Sequence, residues 1–338
     1  MKKSSTKVGF VITVAVTLVI FYLIAKYVGF EKTIKNLERA ELSYVILAIV
    51  SQFGLNIGIR ALRWMLIMRK SVEISYVDSF LALIVGVLVN NLTPGAKVGG
   101  EPVRAIVIKR RRGITIPEGF GTVIADRLLD FAIIAILAII GYIGILTVEE
   151  IKSSLSRENH ILITFLLFVT IGFYSIIAYI VLNKKVAEKV IKKFPERYIS
   201  RAIDALESFT NSIRTSLKDK KLVFFLLILS IFIWFSDILR QYFLFKSIGV
   251  DVGIFPIMIV VCITIMISAI PVTPGGIGVV EAFEALLYST FGITKEAIGT
   301  MIILDMFIVR WLMIAVGASA IPLIEVGKSE KTKQNGKD

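Results

Sequence analysis

Long apolar runs alternate along this chain with short polar connections. Eight runs stand out, at roughly 8–28, 42–68, 77–93, 119–146, 160–182, 221–248, 253–273 and 297–325. A helix needs about 20 mostly apolar residues to cross a bilayer, and most of these runs reach that length. The pattern predicts an all-α integral membrane protein, with 1–338 forming one polytopic domain. The first run follows Lys2, Lys3 and Lys7. It is too long for the apolar part of a signal peptide, and no small-residue cleavage site follows before Lys26, so residues 1–30 read as a retained anchor helix. After Pro195, apolar residues at Ile199, Ile203, Leu206, Phe209, Ile213 and Leu217 recur every three or four positions, the mark of an amphipathic helix. Lys184, Lys185, Lys189, Lys192, Lys193, Arg197 and Arg201 surround its start. A basic amphipathic helix beside a membrane belongs in the interface; a solvated linker helix is the alternative. Residues 160–220 thus read as a linking helix plus an interfacial helix, and the Lys-rich tail 326–338 as disordered.

The apolar runs are organised by an internal repeat. Thr93-Pro94-Gly95 matches Thr273-Pro274-Gly275, and Glu101 matches Glu281, at an offset of 180. Upstream, Arg60 matches Arg240. Downstream, Gly113-Ile114-Thr115, Gly121-Thr122 and Asp126 match Gly292-Ile293-Thr294, Gly299-Thr300 and Asp305, with the offset staying within 178–180. One triplet arises by chance; this ordered series does not. Residues 42–146 and 221–325 therefore read as two copies of one unit: a helix, a helix ending in TPG, a short segment and a further helix. Repeated halves are a common build of secondary transporters.

Charge then bears on how the copies lie. If all eight runs cross the membrane, the Lys and Arg other than the five arginines deep in the helices (Arg60, Arg63, Arg127, Arg240 and Arg310) divide 22 against 12 between its faces. If 77–112 and 253–291 are instead re-entrant hairpins with TPG tips inside the membrane, the division sharpens to 26 against 8. The excess of basic residues on cytoplasmic loops favours the second arrangement. It places both termini in the cytoplasm and makes the copies inverted repeats, with hairpins entering from opposite faces. The alternative leaves 77–93 and 253–273 as spanning helices.

Composition narrows the chemistry. The chain is 56% hydrophobic and only 19% charged, with a net charge of +13 gathered in a few blocks. That distribution fits loops against anionic lipid better than a nucleic-acid groove. One cysteine, Cys262, excludes an intrachain disulfide, and one histidine, His160, argues against a His-rich metal site or a His-based triad. No phosphate-binding loop for ATP is present. No cofactor, no metal and no catalytic residue are expected.

Charged residues inside apolar helices are costly and face a cavity or a partner. Arg60 and Arg63 share one helix face and repel each other unless an anion lies between them. Guanidinium suits phosphate through paired hydrogen bonds; the structural alternative has Arg63 reaching the interface and Arg60 paired with an acid. Arg60 lies about 12 Å from the inner helix end, at ~1.5 Å per residue over eight residues, and has no acid at i±3 or i±4. Its partner must be Asp126, Asp130 or Glu101 from another helix, or the substrate. Asp237 precedes Arg240 by three residues and predicts an internal ion pair. Asp126 and Asp130 lie one turn apart beside Arg127, with Asp305 and Arg310 as their counterpart. Pairing between repeats is the leading reading for Asp126 and Asp305, with proton or cation coupling the alternative. In the TPG tips proline ends a helix, and Gly275, Gly276 and Gly278 let backbone amides approach an anion; a plain loop at the membrane surface is the alternative. Glu101 and Glu281 have three open roles: capping the short helix, binding a cation, or pairing with arginine. Lys109-Arg110-Arg111-Arg112 reads as a basic membrane anchor.

The segments NNLTPGAKVGGEPVRA, GTVIADRLLD and IPVTPGGIGVVEAFEALL resemble the transmembrane, flippase-like region of lysylphosphatidylglycerol synthases and its stand-alone prokaryotic members. The resemblance covers about 42–325 and implies a multi-pass plasma-membrane protein. In the full-length synthases this region is associated with moving aminoacylated lipid between leaflets. Their soluble catalytic domain has no counterpart in these residues, so aminoacyl transfer is not carried over, and other relatives are linked to polyprenyl-phosphate sugar pathways. The family-matching positions are both TPG segments, Glu101, Arg104, Asp126, Arg127 and Glu281. With Arg60, Arg63, Arg240 and Gly276 they form the expected substrate-binding set. The expected activity is flipping of an anionic, phosphate-containing lipid, with membrane lipids as partners and no nucleic acid. A scaffold would show a closed apolar interface between the repeats, and a transferase acting on a lipid phosphate a clustered acid/base pair.

Overall fold

The computed structural model describes residues 30–93, 100–183, 210–268 and 276–334. The expected anchor helix, most of the interfacial helix and the central parts of both TPG segments lie outside them. The described residues are helical, with no strand among them. A short helix α1 (Phe30–Glu38) precedes α2 (Leu42–Met68). Next come α3 (Tyr76–Leu92), α4 (Gly100–Arg112) and α5 (Ile116–Thr147). A turn of helix, α6 (Glu149–Ser154), leads into α7 (Arg157–Leu182). The second series is α8 (Lys220–Ser247), α9 (Ile254–Ser268), α10 (Val279–Thr290) and α11 (Lys295–Ile324), whose helix runs on to Gln334. The series α2–α5 and α8–α11 repeat the same order: long, short, short, long. The helices α2, α5, α8 and α11 are long and apolar enough to cross a membrane.

Local chemistry sets the helix ends. Ser75 and Asp78 form a reciprocal capping box at the start of α3, and Thr115 and Glu118 do the same for α5. Asp219 Oδ1 accepts from the amides of Lys221 and Leu222, each at 3.1 Å, and so starts α8. At the start of α10, Gly276 and Gly278 have φ of 73° and 85°, a backbone that side-chain-bearing residues rarely adopt. The sequence pattern gives no sign of two π-helical stretches, Ser51–Gly58 in α2 and Phe307–Leu312 in α11. Such widened turns are rare and gather at functional sites; here they flank Arg60 and contain Arg310.

Three packing relations place the site. First, α2 and α8 cross antiparallel. Gln52 meets Arg240, Asn56 meets Asp237 and the Ile233 carbonyl, Arg60 lies over Trp234, and Arg63 reaches Ser230. The partner number falls as the residue number rises. Second, α3 and α4 form a helical hairpin. Asp78 binds Arg111 and Arg112 at its base, while Asn90 Oδ1 accepts from the Gly100 amide at 2.6 Å near its tip. Between them, a methyl on Gly100 would overlap the Gly86 carbonyl. The two helices α9 and α10 likewise pack on each other across 269–275. Third, the fourth helix of each series packs on the second helix of the other, α5 on α9 and α11 on α3. Glycines permit the approach: Gly141 and Gly144 face Ile259 and Phe255, and Gly317 faces Leu88.

The molecule accordingly has two ends. At one, Lys70 pairs with Asp219 at 3.0 Å, Ser212 donates to the Glu118 carbonyl and Arg111 donates to the Leu323 carbonyl. At the other, the Glu41 amide donates to Ser247 and Asn159 to Thr290. The base of the α3–α4 hairpin lies at the first end. Each end has its own apolar core. One holds Trp64, Ile84, Ile108, Val123 and Leu226; the other holds Ile134, Phe245, Ile263, Tyr288 and Ile302. Both α5 and α8 cross from one core to the other. Asp126 and Asp130 on α5, and Ser230 on α8, sit at the boundary. A polar layer therefore separates the two cores at mid-height.

Candidate functional site

That layer contains a cavity of about 480 Å³, within the range that holds small ligands. Its walls come from both series. From α2 come Gln52, Asn56 and Arg60, and from the hairpin Asn90, Asn91 and Glu101; α5 adds Arg127. From α8 come Trp234, Asp237, Arg240 and Gln241, from α9 Thr264 and Ser268, from α10 Glu281 and Glu284, and from α11 Asp305 and Arg310. The hairpin ends thus open onto the same space as the midpoints of α2 and α8.

The guanidinium groups form two buried networks. In the first, Asp130 sits between Arg60 and Arg63, with Oδ2 at 2.8 Å from one and Oδ1 at 2.7 Å from the other. It also takes Arg127 at 2.9 Å and the Trp234 indole N–H at 3.1 Å. The anion required between the two like charges is therefore this carboxylate. Asp126 holds Arg63 at 2.7 Å and Arg104 at 3.3 Å, and Glu101 bridges Arg104 at 3.3 Å and Arg127 at 2.9 Å. Arg104 also stacks on the Trp64 ring at 4.1 Å. In the second network Arg240 binds Asp305 at 2.6 Å and its own-helix neighbour Asp237. Arg310 binds Glu281 at 2.6 Å, and the other Glu281 oxygen accepts from the Gly278 amide at 2.6 Å. Of its three open roles, Glu281 thus fills two, cap and arginine partner.

Of the expected residues, Arg60, Glu101, Arg127, Arg240 and Glu281 line the cavity. Arg63, Arg104 and Asp126 lie behind it, almost fully buried, and hold the lining in place. Thr93 caps α3, its hydroxyl donating to the Val89 carbonyl at 2.7 Å, and Gly276 supplies the left-handed turn before α10. Pro94, Gly95, Thr273, Pro274 and Gly275 fall outside the described residues. The run Lys109–Arg112 does more than anchor, because Arg111 and Arg112 clamp Asp78 and so close the hairpin base.

Sequence reasoning passed over Gln52, Asn56, Asn90, Asn91, Gln241 and Glu284. Their signal was present: amides and acids within apolar helices. Charge drew attention to the arginines and to the acids that match between the repeats, and Glu284 has no acidic match at that offset. Besides the Ser216 hydroxyl, three buried nitrogens have no hydrogen-bond partner among the described residues: Asn91 Nδ2, Arg104 Nε and Arg127 Nε. Asn91 and Arg127 both line the cavity, and all three atoms are donors.

The model of the lysylphosphatidylglycerol synthase TM region matches residues 10–317. The chain belongs to this family. Among its relatives is a UPF0104 membrane protein of Methanothermobacter thermautotrophicus, 30% identical over 307 residues that cover 87% of this chain and 89% of that one. A UPF0104 membrane protein of Pyrococcus horikoshii is 28% identical, covering 90% and 94%. The Haloferax volcanii protein named glycosyltransferase AglD is 21% identical across 97% of this chain but only 56% of its own length. This protein is an integral membrane protein with several apolar helices.

Proposed function

We propose that this protein moves an anionic, phosphate-bearing lipid between the leaflets of the cell membrane. The observation that carries the reading is the cavity at mid-height, largely apolar but with Arg60, Arg127, Arg240 and Arg310 in its wall. Guanidinium groups suit phosphate, and the apolar remainder of the wall suits the part of a lipid next to its head group. The exterior supports a lipid setting. Phe165, Phe168, Ile176 and Tyr179 on α7, and Phe224, Phe225 and Phe232 on α8, are exposed apolar side chains. A scaffold needs no such cavity between its halves.

The antiparallel crossing of α2 and α8 supports inverted copies, since corresponding helices then run oppositely through the membrane. Asn90, Asn91 and Glu101 of α3 and α4, and Ser268 and Glu281 of α9 and α10, lie level with the midpoints of these helices, which supports the re-entrant arrangement. The basic end, with Lys70, Lys109–Arg112, Lys220 and Lys221, then faces the cytoplasm. In this reading Arg60, Arg127 and Arg240 receive the phosphate by exchanging carboxylate partners for it, while the acyl chains stay in the bilayer.

The test uses purified protein in liposomes containing fluorescent phosphatidylglycerol, phosphatidylcholine or a polyprenyl phosphate, with leaflet access read by dithionite quenching. The expected result is movement of an anionic lipid and none of phosphatidylcholine. Arg127→Gln should slow it at least about tenfold, or ~1.4 kcal/mol in the barrier. Equal movement of all lipids, or of none, rejects the reading.

A further inference from the structure

The two networks carry unequal charge. In the first, four guanidinium groups (Arg60, Arg63, Arg104, Arg127) share three carboxylates (Glu101, Asp126, Asp130). In the second, Arg240 and Arg310 face four carboxylates. Asp237 and Asp305 are held by Arg240, and Glu281 by Arg310. The fourth, Glu284, lines the cavity, is 6% exposed, and has no cationic partner among the described residues. It accepts instead from a neutral group, Gln241 Nε2, at 3.0 Å. The Tyr288 hydroxyl donates to Gln241 Oε1 at 2.5 Å, which turns the amide so that its NH2 faces Glu284.

The repeat shows where the imbalance arises. Glu284 occupies the position of Arg104 at the offset of 180. Where the first copy sets a cation against Asp126, the second sets an acid near Asp305. Every element packed on α10 gives the same answer. Helix α9 offers the neutral Thr264 and Ser268, its Cys262 being directed to the Ile134 carbonyl on α5. Helix α8 offers Gln241 and an already engaged Arg240; α11 offers Asp305 and Arg310; α10 itself adds Glu281 and Tyr288. An ionised carboxylate buried without a cation is strongly disfavoured, and such a group takes up a proton instead. No set of three ligating side chains among the described residues is placed to hold a metal ion, so the fitting cation is the proton.

We propose that Glu284 is a proton-binding site of the cavity, protonated at neutral pH, and that it gives up its proton when water enters the cavity. The step is proton transfer alone: the O–H bond on the Glu284 carboxyl breaks and the proton passes to cavity water. That this proton couples lipid movement to a pH gradient rests on the transport reading above. Infrared difference spectroscopy on protein in nanodiscs reads the carbonyl stretch of a protonated carboxyl directly. Wild type should show a band at neutral pH that disappears on alkaline titration, and Glu284→Gln should lack it. Glu284→Asp keeps a carboxyl and must keep the band at a shifted frequency, which serves if the glutamine variant fails to fold. Asp305→Asn, which removes the neighbouring negative charge, must move the titration to lower pH. No such band in wild type, an unshifted band in the Glu284 variants, or a titration unmoved in Asp305→Asn overturns the site. Coupling is read in the liposome assay under an imposed pH gradient. Wild type should redistribute anionic lipid with the gradient and Glu284→Gln should not. A titrating band without any lipid movement leaves the proton site standing and rejects the transport reading; movement indifferent to the gradient in wild type rejects the coupling.

Discussion

At the scale of single residues, Asp130 rather than any arginine is the hub of the first network. It holds Arg60, Arg63, Arg127 and the Trp234 indole together. Asp130→Asn leaves three guanidinium groups short of one anion and should cost about 3–5 kcal/mol, the penalty for breaking a buried ion pair from one side. Arg60→Gln leaves Asp130 with two cations and should cost less, about 1.5–3 kcal/mol for one charge-assisted hydrogen bond. Thermal unfolding of the purified variants in one detergent ranks them. The reverse order would mean that Arg60 carries the structural role. Much of this was legible in the chain. Charges in apolar helices, and the absence of any acid one turn from Arg60, already demanded a partner from elsewhere and named Asp130 among three. The choice among the three was not legible, because it depends on how α2, α5 and α8 rotate against one another. The amides lining the cavity were missed for a related reason: a single Asn or Gln in a helix carries no charge to flag it, and only the fold brings them together.

At the scale of elements, close packing of the α3–α4 hairpin depends on its missing side chains. Gly100 meets the Gly86 backbone directly, so Gly100→Ala must push the two helices apart and open the tip. Gly172 on α7 has nothing within 4 Å of an added methyl. Gly172→Ala should therefore be neutral or stabilising by about 0.5–1 kcal/mol through helix propensity, whereas Gly100→Ala should lose several degrees in melting temperature and cut any lipid movement. Equal effects would show that the hairpin is not tightly packed. The bounds of the longer helices followed closely from apolar run lengths, 77–93 becoming Tyr76–Leu92 and 119–146 becoming Ile116–Thr147, whereas the short helices Gly100–Arg112 and Val279–Thr290 match no apolar run. The π-helical stretches in α2 and α11 did not follow. Their widened turns are stabilised by surrounding contacts, and neither hydrophobic periodicity nor residue propensity records such contacts.

At the scale of the whole molecule, the two ends make opposite statements about access. In a Cys262→Ser background, a cysteine at exposed Lys295 should react with a membrane-impermeant maleimide added outside cells, and one at exposed Arg110 only after permeabilisation. Labelling of both from the same face would reject the opposed hairpins and with them the inversion. A further consequence follows from the way α2 crosses α8, α5 crosses α9 and α11 crosses α3. These contacts join one series to the other through space, and none of them uses the peptide chain that connects α7 to α8. A gene cut within the codons for 184–209 should therefore still yield a working protein when its two products are made together. The fragments should copurify on a tag carried by either one, each serving as the binding partner the other was shaped for. With that outcome, the single polypeptide would be equivalent to a heterodimer whose two subunits share one message.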